Sequence, residues 1–282
     1  MRFKSFILLA TLTGLVLAIG YYLGGNQGVI IALIISTVMN MGTYWFSDKI
    51  VLAMYHAKPI SENDQPLLHV TVARLAEKMK IPVPKIYMVN LPVPNAFATG
   101  RNKDHAVVAV TPAILQLLNE KELEGVLAHE LGHIQNKDIL ISSIAATLAG
   151  AISYLAQMAY FGMIFAGGRD RDRNGGNAFG ALAMLILTPM IATLLHLAIS
   201  RSREYLADET GAKTLGNGEG LASALQKLHG ASKIHPLIGE PKYEATAHLF
   251  IVNPFKPSIL MKLFSTHPPV EERVNRLKKL HL

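Results

Sequence analysis

Charge is missing from three long stretches of this 282-residue chain, which limits its fold more than any other feature. After Arg2 and Lys4 no Asp, Glu, Lys or Arg occurs before Asp48, and Ile139–Gly168 and Asn174–Ser200 are equally free of them. A helix needs about 20 apolar residues to cross a bilayer. The first stretch therefore holds two spans, 6–23 and 29–46, on either side of the Gly-Gly-Asn-Gln-Gly turn at 24–28, and the others hold one each, 141–165 and 179–199. A cleaved signal peptide is the alternative for the first run. A second apolar run follows at once, however, with no small-x-small cleavage site and polar mature start behind the first.

This pattern divides the chain into an N-terminal transmembrane hairpin (1–46), a polar part (47–138), a second transmembrane pair (139–200) and a second polar part (201–282). Lys plus Arg against Asp plus Glu number 10 and 10 over 47–138, and 12 and 8 over 201–282. With Arg2 and Lys4, the excess places the N-terminus and the C-terminal part in the cytoplasm by the positive-inside tendency. The net charge of +7 is too dispersed for a nucleic-acid footprint. Cysteine is absent, so a metal would have to be held by His and carboxylates.

In the first polar part, Leu67, Leu68, Val72, Leu75 and Ala76 recur at helical spacing and predict a helix over 65–80, with Asp64 as its cap. Three β-prone runs follow, 85–90, 96–99 and 106–110, and read as a small meander. Thr111-Pro112 starts one helix, and Asn119 with Glu122 forms a capping box for another, running through His133 toward the third span. The last part reads as mostly helical, clearest at 202–215, 219–230 and 269–280; 232–257 has no clear pattern.

His129-Glu130-Leu131-Gly132-His133 lies on the second of those helices. Residues four apart share a face, so both imidazoles can aim at one zinc ion, with Glu130 beside them as general base. A chain of this composition contains such a run by chance about 2% of the time. A catalytic zinc needs a third protein ligand. Glu204 is favoured, in Ser200-Arg201-Ser202-Arg203-Glu204-Tyr205-Leu206-Ala207-Asp208, and Asp208 one turn on can accept a hydrogen bond from a ligand imidazole. Two spans separate His133 from Glu204, which returns the chain to the same side.

Asn95-Ala96-Phe97-Ala98-Thr99-Gly100 is a candidate edge strand for holding peptide, with Asn95 as a substrate contact. His105, His196, His235, His248 and His267 are alternative ligands, and His267 is a candidate for steadying a tetrahedral oxyanion.

Together with Ala247-His248-Leu249-Phe250-Ile251-Val252-Asn253-Pro254 and Thr266-His267-Pro268-Pro269, these motifs resemble the HtpX-like membrane metalloproteases over nearly the whole chain. The resemblance implies an α+β membrane protein of about four transmembrane helices, with a zincin-like, mostly helical peptidase domain and a small edge β-sheet. It implies one Zn2+ per chain on His129, His133 and Glu204, and Glu130 as catalyst. It also implies a multi-pass protein of the plasma membrane, active site toward the cytoplasm, that cleaves misfolded membrane and cytoplasmic polypeptides under stress. The competing readings are a CAAX-type prenyl-peptide protease and a zinc-binding membrane regulator without turnover. Charged residues on both sides of the His-Glu-x-x-His run argue against a site within the lipid.

Overall fold

Two glycines break the first helix. In α1 (Arg2–Met54), Gly24 (φ −146°, ψ 17°) and Gly25 (φ 56°, ψ −140°) leave helical geometry. Gly25 takes the left-handed region that side chains disfavour, and the chain turns back on itself. A Cβ on Gly20 would stand 2.5 Å from the Gly28 carbonyl oxygen, and Asn40 Nδ2 donates to Thr13 Oγ1 at 2.8 Å, so the two limbs pack antiparallel. The computed structural model describes residues 2–150, 201–234, 236–237, 243, 246–255 and 268–280. Most of the expected third span, the 169–173 loop, the fourth span, and His196, His235 and His267 lie outside the described residues.

Among the described residues, Gly24–Met54 is the one helix long and apolar enough to cross a membrane. Its 31 residues rise about 46 Å, more than the ~30 Å of a hydrocarbon core. Ile30, Ile31, Ile34, Val38, Met41 and Trp45 face outward, whereas Val51, Leu52 and Tyr55 are buried. Val51 and Tyr55 pack with Val89, Phe97 and Phe250. The expected boundary at 46 therefore falls inside the helix, because the same apolar run serves first the outer face and then the core of the polar part.

The sheet holds β1 (Lys58–Pro59), β2 (Lys85–Met88), β3 (Ala96–Gly100) and β4 (Ala106–Val110) in the order β1-β2-β4-β3. It is not the expected meander. β4 runs parallel to β2 and antiparallel to β3, because the Leu-Pro-Val-Pro-Asn segment 91–95 carries the chain past the place of β4 to the outer edge. β3 is thus an edge strand, and the two-residue β1 had no pattern to announce it.

α2 (Pro66–Lys78) packs Leu68, Val72, Leu75 and Ala76 inward, while Leu67 faces solvent. Its cap is Gln65; Asp64 instead accepts from the Ser61 hydroxyl at 2.6 Å in the preceding turn. α3 (Pro112–Leu117) is capped by Thr111. α4 (Glu120–Gln135) starts with the expected capping box: Glu122 N–H donates to Asn119 Oδ1 at 3.0 Å and Asn119 N–H to Glu122 Oε2 at 2.9 Å. It does not run into the third span, because Lys137 takes φ 62° and breaks it before α5, an apolar helix described over Ile139–Gly150. α6 (Arg201–Leu215), α7 (Glu219–Ile234) and α8 (Val270–Lys278) complete a mostly helical body over the small sheet.

Glu122 also receives Ser223 Oγ at 2.6 Å and Lys227 Nζ at 2.7 Å, fastening the start of α4 to α7. Burial raises its pKa, but Lys227, Ser223 and the Asn119 amide outweigh that and hold it below 4.5. A depressed carboxylate stabilises fully above its unfolded pKa, and loses that contribution as pH falls through the folded one. Glu122→Gln therefore costs about 1 kcal/mol at pH 7. Thermal melts should show the gap from wild type persisting to pH 4.5 and closing below it.

Candidate active site and metal centre

Small residues bring the site together. A Cβ on Gly132 of α4 would lie 3.1 Å from the Ala207 carbonyl oxygen, and one on Gly211 of α6 3.0 Å from His129 N, so the two helices meet backbone to backbone. This approach sets α6 acids against α4 imidazoles. His129 Nε2 stands 3.8 Å from Glu204 Oε2, and His133 Nε2 3.5 Å from Glu204 Oε1. One ligand atom from each of the three residues lies within 4.8 Å of the others.

These spacings fit a metal. Zinc with bonds of about 2.1 Å in a tetrahedral site separates its ligand atoms by about 3.4 Å. The site also favours a cation electrostatically. Burial lowers the pKa of His133, but its hydrogen bond to Asp138 and the nearby Glu204 and Glu130 carboxylates outweigh this and raise it to about 9. A metal arriving there displaces a proton.

Each imidazole has a carboxylate at its other nitrogen. His129 Nδ1 lies 2.9 Å from Asp208 Oδ1, the pairing anticipated for Asp208, and His133 Nδ1 lies 3.4 Å from Asp138 Oδ2. The sequence offers one signal for Asp138, its position in the turn five residues after His133. Arg203, buried next to Glu204 in sequence, also feels the Asp138 charge.

Glu130 is 5% exposed and lies at the edge of the sheet, where its Oε2 accepts the Ala98 N–H of β3 at 2.9 Å. Burial pushes its carboxyl above the ordinary value; His129 and His133 oppose that, Glu204 adds to it, and the Ala98 amide opposes it. The pocket is lined by Phe97, Ala98, Ile139 and Ser142 around the metal-site residues, with His248 and Phe250 closing another side.

Asn95 is a fastener at the edge strand. Buried, it donates from Nδ2 to Leu249 O at 3.1 Å and accepts Ile251 N–H on Oδ1 at 3.1 Å, holding the 249–251 wall of the pocket to the sheet. These bonds give Asn95 a structural role at the edge strand, beside its expected place as a substrate contact. Asn95→Ala strands two buried backbone groups, at about 1–3 kcal/mol each. Hydrogen exchange should then accelerate at 247–252 before it does in α4.

Of the alternative ligands, His105 is exposed and bonded to Asn102 and Arg101, outside the pocket. His248 does line the pocket, with Nε2 3.1 Å from Ser142 O. Arg273 of α8 carried no sequence signal, since it sits among mixed charges; yet it is fully buried beside Asp208 and Glu204.

Comparison with known proteins places this arrangement. The family model described as "Peptidase family M48" matches residues 62–281, which takes in α4, α6 and α8 together. The chain belongs to peptidase family M48. It is therefore a metallopeptidase hydrolase, and zinc is its metal. The M48 chain is 52% identical over 282 residues to the "Protease HtpX homolog" of Syntrophobacter fumaroxidans, covering 99% of each. It is 54% identical over 278 residues to the protein of that name from Pyrococcus furiosus, covering 98% of this chain and 95% of that one. The crystal structure of S. mikatae Ste24p superposes on 98% of this chain with a TM-score of 0.50 at 19% identity, and the M48 chain spans 65% of that protein's length. That likeness concerns fold. The expected HtpX-like membrane metalloprotease is thereby borne out as a family.

Proposed function

We propose that this M48 peptidase is a multi-pass endopeptidase of the plasma membrane that cleaves misfolded or damaged membrane and cytoplasmic polypeptides on the cytoplasmic side. His129, His133 and Glu204 hold the metal and Glu130 is the base. The reading rests above all on one observation, that the buried Glu130 carboxylate accepts the amide of an edge strand and lines the same pocket as the His/His/Glu cluster. An extended peptide added to β3 would pass the metal site. Zinc held there by His129, His133 and Glu204 would supply a Lewis acid to polarise the scissile carbonyl and acidify the attacking water. Glu130 takes that water's proton and returns it to the leaving amine.

The membrane part of the reading draws on the α1 hairpin, whose outward limb ends inside the core that carries β3. Four spans, with the polar parts 47–138 and 201–282 on the cytoplasmic side, complete it. The test is cleavage of casein, and of a destabilised membrane protein, by the full chain in proteoliposomes, with a cysteine-labelling map of the 24–28 turn and the 103–105 loop. Zinc-dependent cleavage with only 103–105 accessible from the cytoplasmic face supports the reading. Selective cleavage of a farnesylated tetrapeptide tail would replace it with prenyl-peptide processing, and stoichiometric zinc without cleavage would leave a regulator.

A further inference from the structure

A guanidinium that is 0% exposed needs a reason, because burying an unpaired charge costs several kcal/mol. Arg273 is the one such group on α8, a helix whose other inward residues, Val274 and Leu277, are apolar. Its fork is fully engaged. Nε donates to Asp208 Oδ2 at 2.9 Å and Nη2 to Asp208 Oδ1 at 2.7 Å, while Nη1 donates to Ile251 O at 3.3 Å and stands 3.6 Å from Glu204 Oε2. Asp208 Oδ1 is the same atom that faces His129 Nδ1 at 2.9 Å. Burial alone would raise Asp208, but the Arg273 charge and the bonds from His129 and Arg273 bring it to about 2.

Nη2 also stands 3.4 Å from each nitrogen of the His129 ring, so one side chain from the C-terminal helix touches an expected metal ligand and its Asp208 support, the carboxylate of another ligand, and the pocket wall at Ile251. A bidentate fork fixes the plane of the Asp208 carboxylate. That plane decides which way the His129 ring turns, and so whether Nε2 points toward Glu204.

We infer that Arg273 is a positioning residue for the metal site, through which docking of α8 sets the His129 imidazole, so that metal affinity depends on α8 being docked. The inference rests on the reading of His129 and Glu204 as zinc ligands. Coupling of this kind is reciprocal: zinc must also hold α8 in place. The apolar contacts of Val274 and Leu277, and Arg276 stacked 4.0 Å over the Tyr205 ring, keep α8 docked in the metal-free chain.

The test uses the full chain in detergent and zinc alone as the probe, with affinity read by competition against a chromophoric chelator and α8 docking by hydrogen exchange with and without zinc. Arg273→Met should weaken zinc binding about 10–100-fold, the usual loss for an outer partner of a ligand. Arg273→Lys should not restore it, since an ammonium cannot form the fork. Asp208→Asn should give a similar loss, and adding Arg273→Met to it should cost little more, because the two act as one unit. In wild type, zinc should slow exchange at 270–278; in Arg273→Met it should not. If Arg273→Met does not fold, the Lys variant and the double variant carry the same expectations. Wild-type zinc affinity in Arg273→Met or Arg273→Lys, with only the melting temperature lowered, would overturn the inference and leave the zinc site standing. Failure of wild type to bind zinc would overturn both.

Discussion

Glu130→Gln should leave zinc content unchanged and reduce kcat by about 10²–10⁴-fold, the range that general acid–base groups contribute. The amide has the carboxylate's shape, and its oxygen can still accept the Ala98 N–H, a 2.9 Å bond in the wild type. The His129, His133 and Glu204 ligand atoms lie on other residues of α4 and α6 and keep their geometry. What disappears is the capacity to accept a proton, so the loss should fall on kcat while KM moves little. Zinc analysis by mass spectrometry alongside casein cleavage on the same preparation measures both halves. A variant that keeps zinc and more than a tenth of the activity would remove Glu130 from the role of base.

The larger effect on the metal itself comes from the ligands. Glu204→Ala or His133→Ala should reduce zinc affinity by more than the ~10–100-fold lost with an outer partner, and activity should vanish at any zinc concentration the protein tolerates. Glu204 faces both imidazoles, at 3.8 and 3.5 Å, so its removal takes the carboxylate out of the cluster. Asp138→Asn should fall between wild type and these variants, because it touches His133 only at Nδ1, 3.4 Å away. Chelator competition across the series should rank Glu204→Ala below Asp138→Asn; the reverse order would mean that the cluster is not the metal site.

Much of this architecture could be read from local signals, and the rest could not, for physical reasons. The helical hairpin showed itself through Gly24-Gly25 between two uncharged runs, and α4 through Asn119 and Glu122, because caps and breaks are written in adjacent residues. Two helix edges misled: Asp64 bonds Ser61 in the preceding turn and leaves Gln65 as the cap, and the break at Lys137 depends on a left-handed residue that is not glycine. Strand order misled further. β2, β3 and β4 were each placed correctly, but nothing local says that β4 pairs with both, since that follows from where the 91–95 segment crosses.

The site divides in the same way. His129, His133 and Glu204 were legible because ligand chemistry demands particular residues at particular spacings. The groups that contact them were only partly so. Asp208 stood at helical spacing from Glu204, whereas Arg273 lies 65 residues beyond Asp208, in a stretch where charge reads as solvated surface. The structural bonds of Asn95 could not be read from the sequence, because a buried amide that bridges two backbone groups has the same sequence appearance as one that meets substrate.

The most direct measurement of the central claim is zinc K-edge absorption of the purified full chain, with zinc counted per protein, in wild type and in His129→Ala. One zinc per chain, bound by two imidazole nitrogens and a carboxylate oxygen and lost in the variant, is the result predicted. Zinc that remains with unchanged coordination in His129→Ala, or cleavage by protein that holds none, would contradict it.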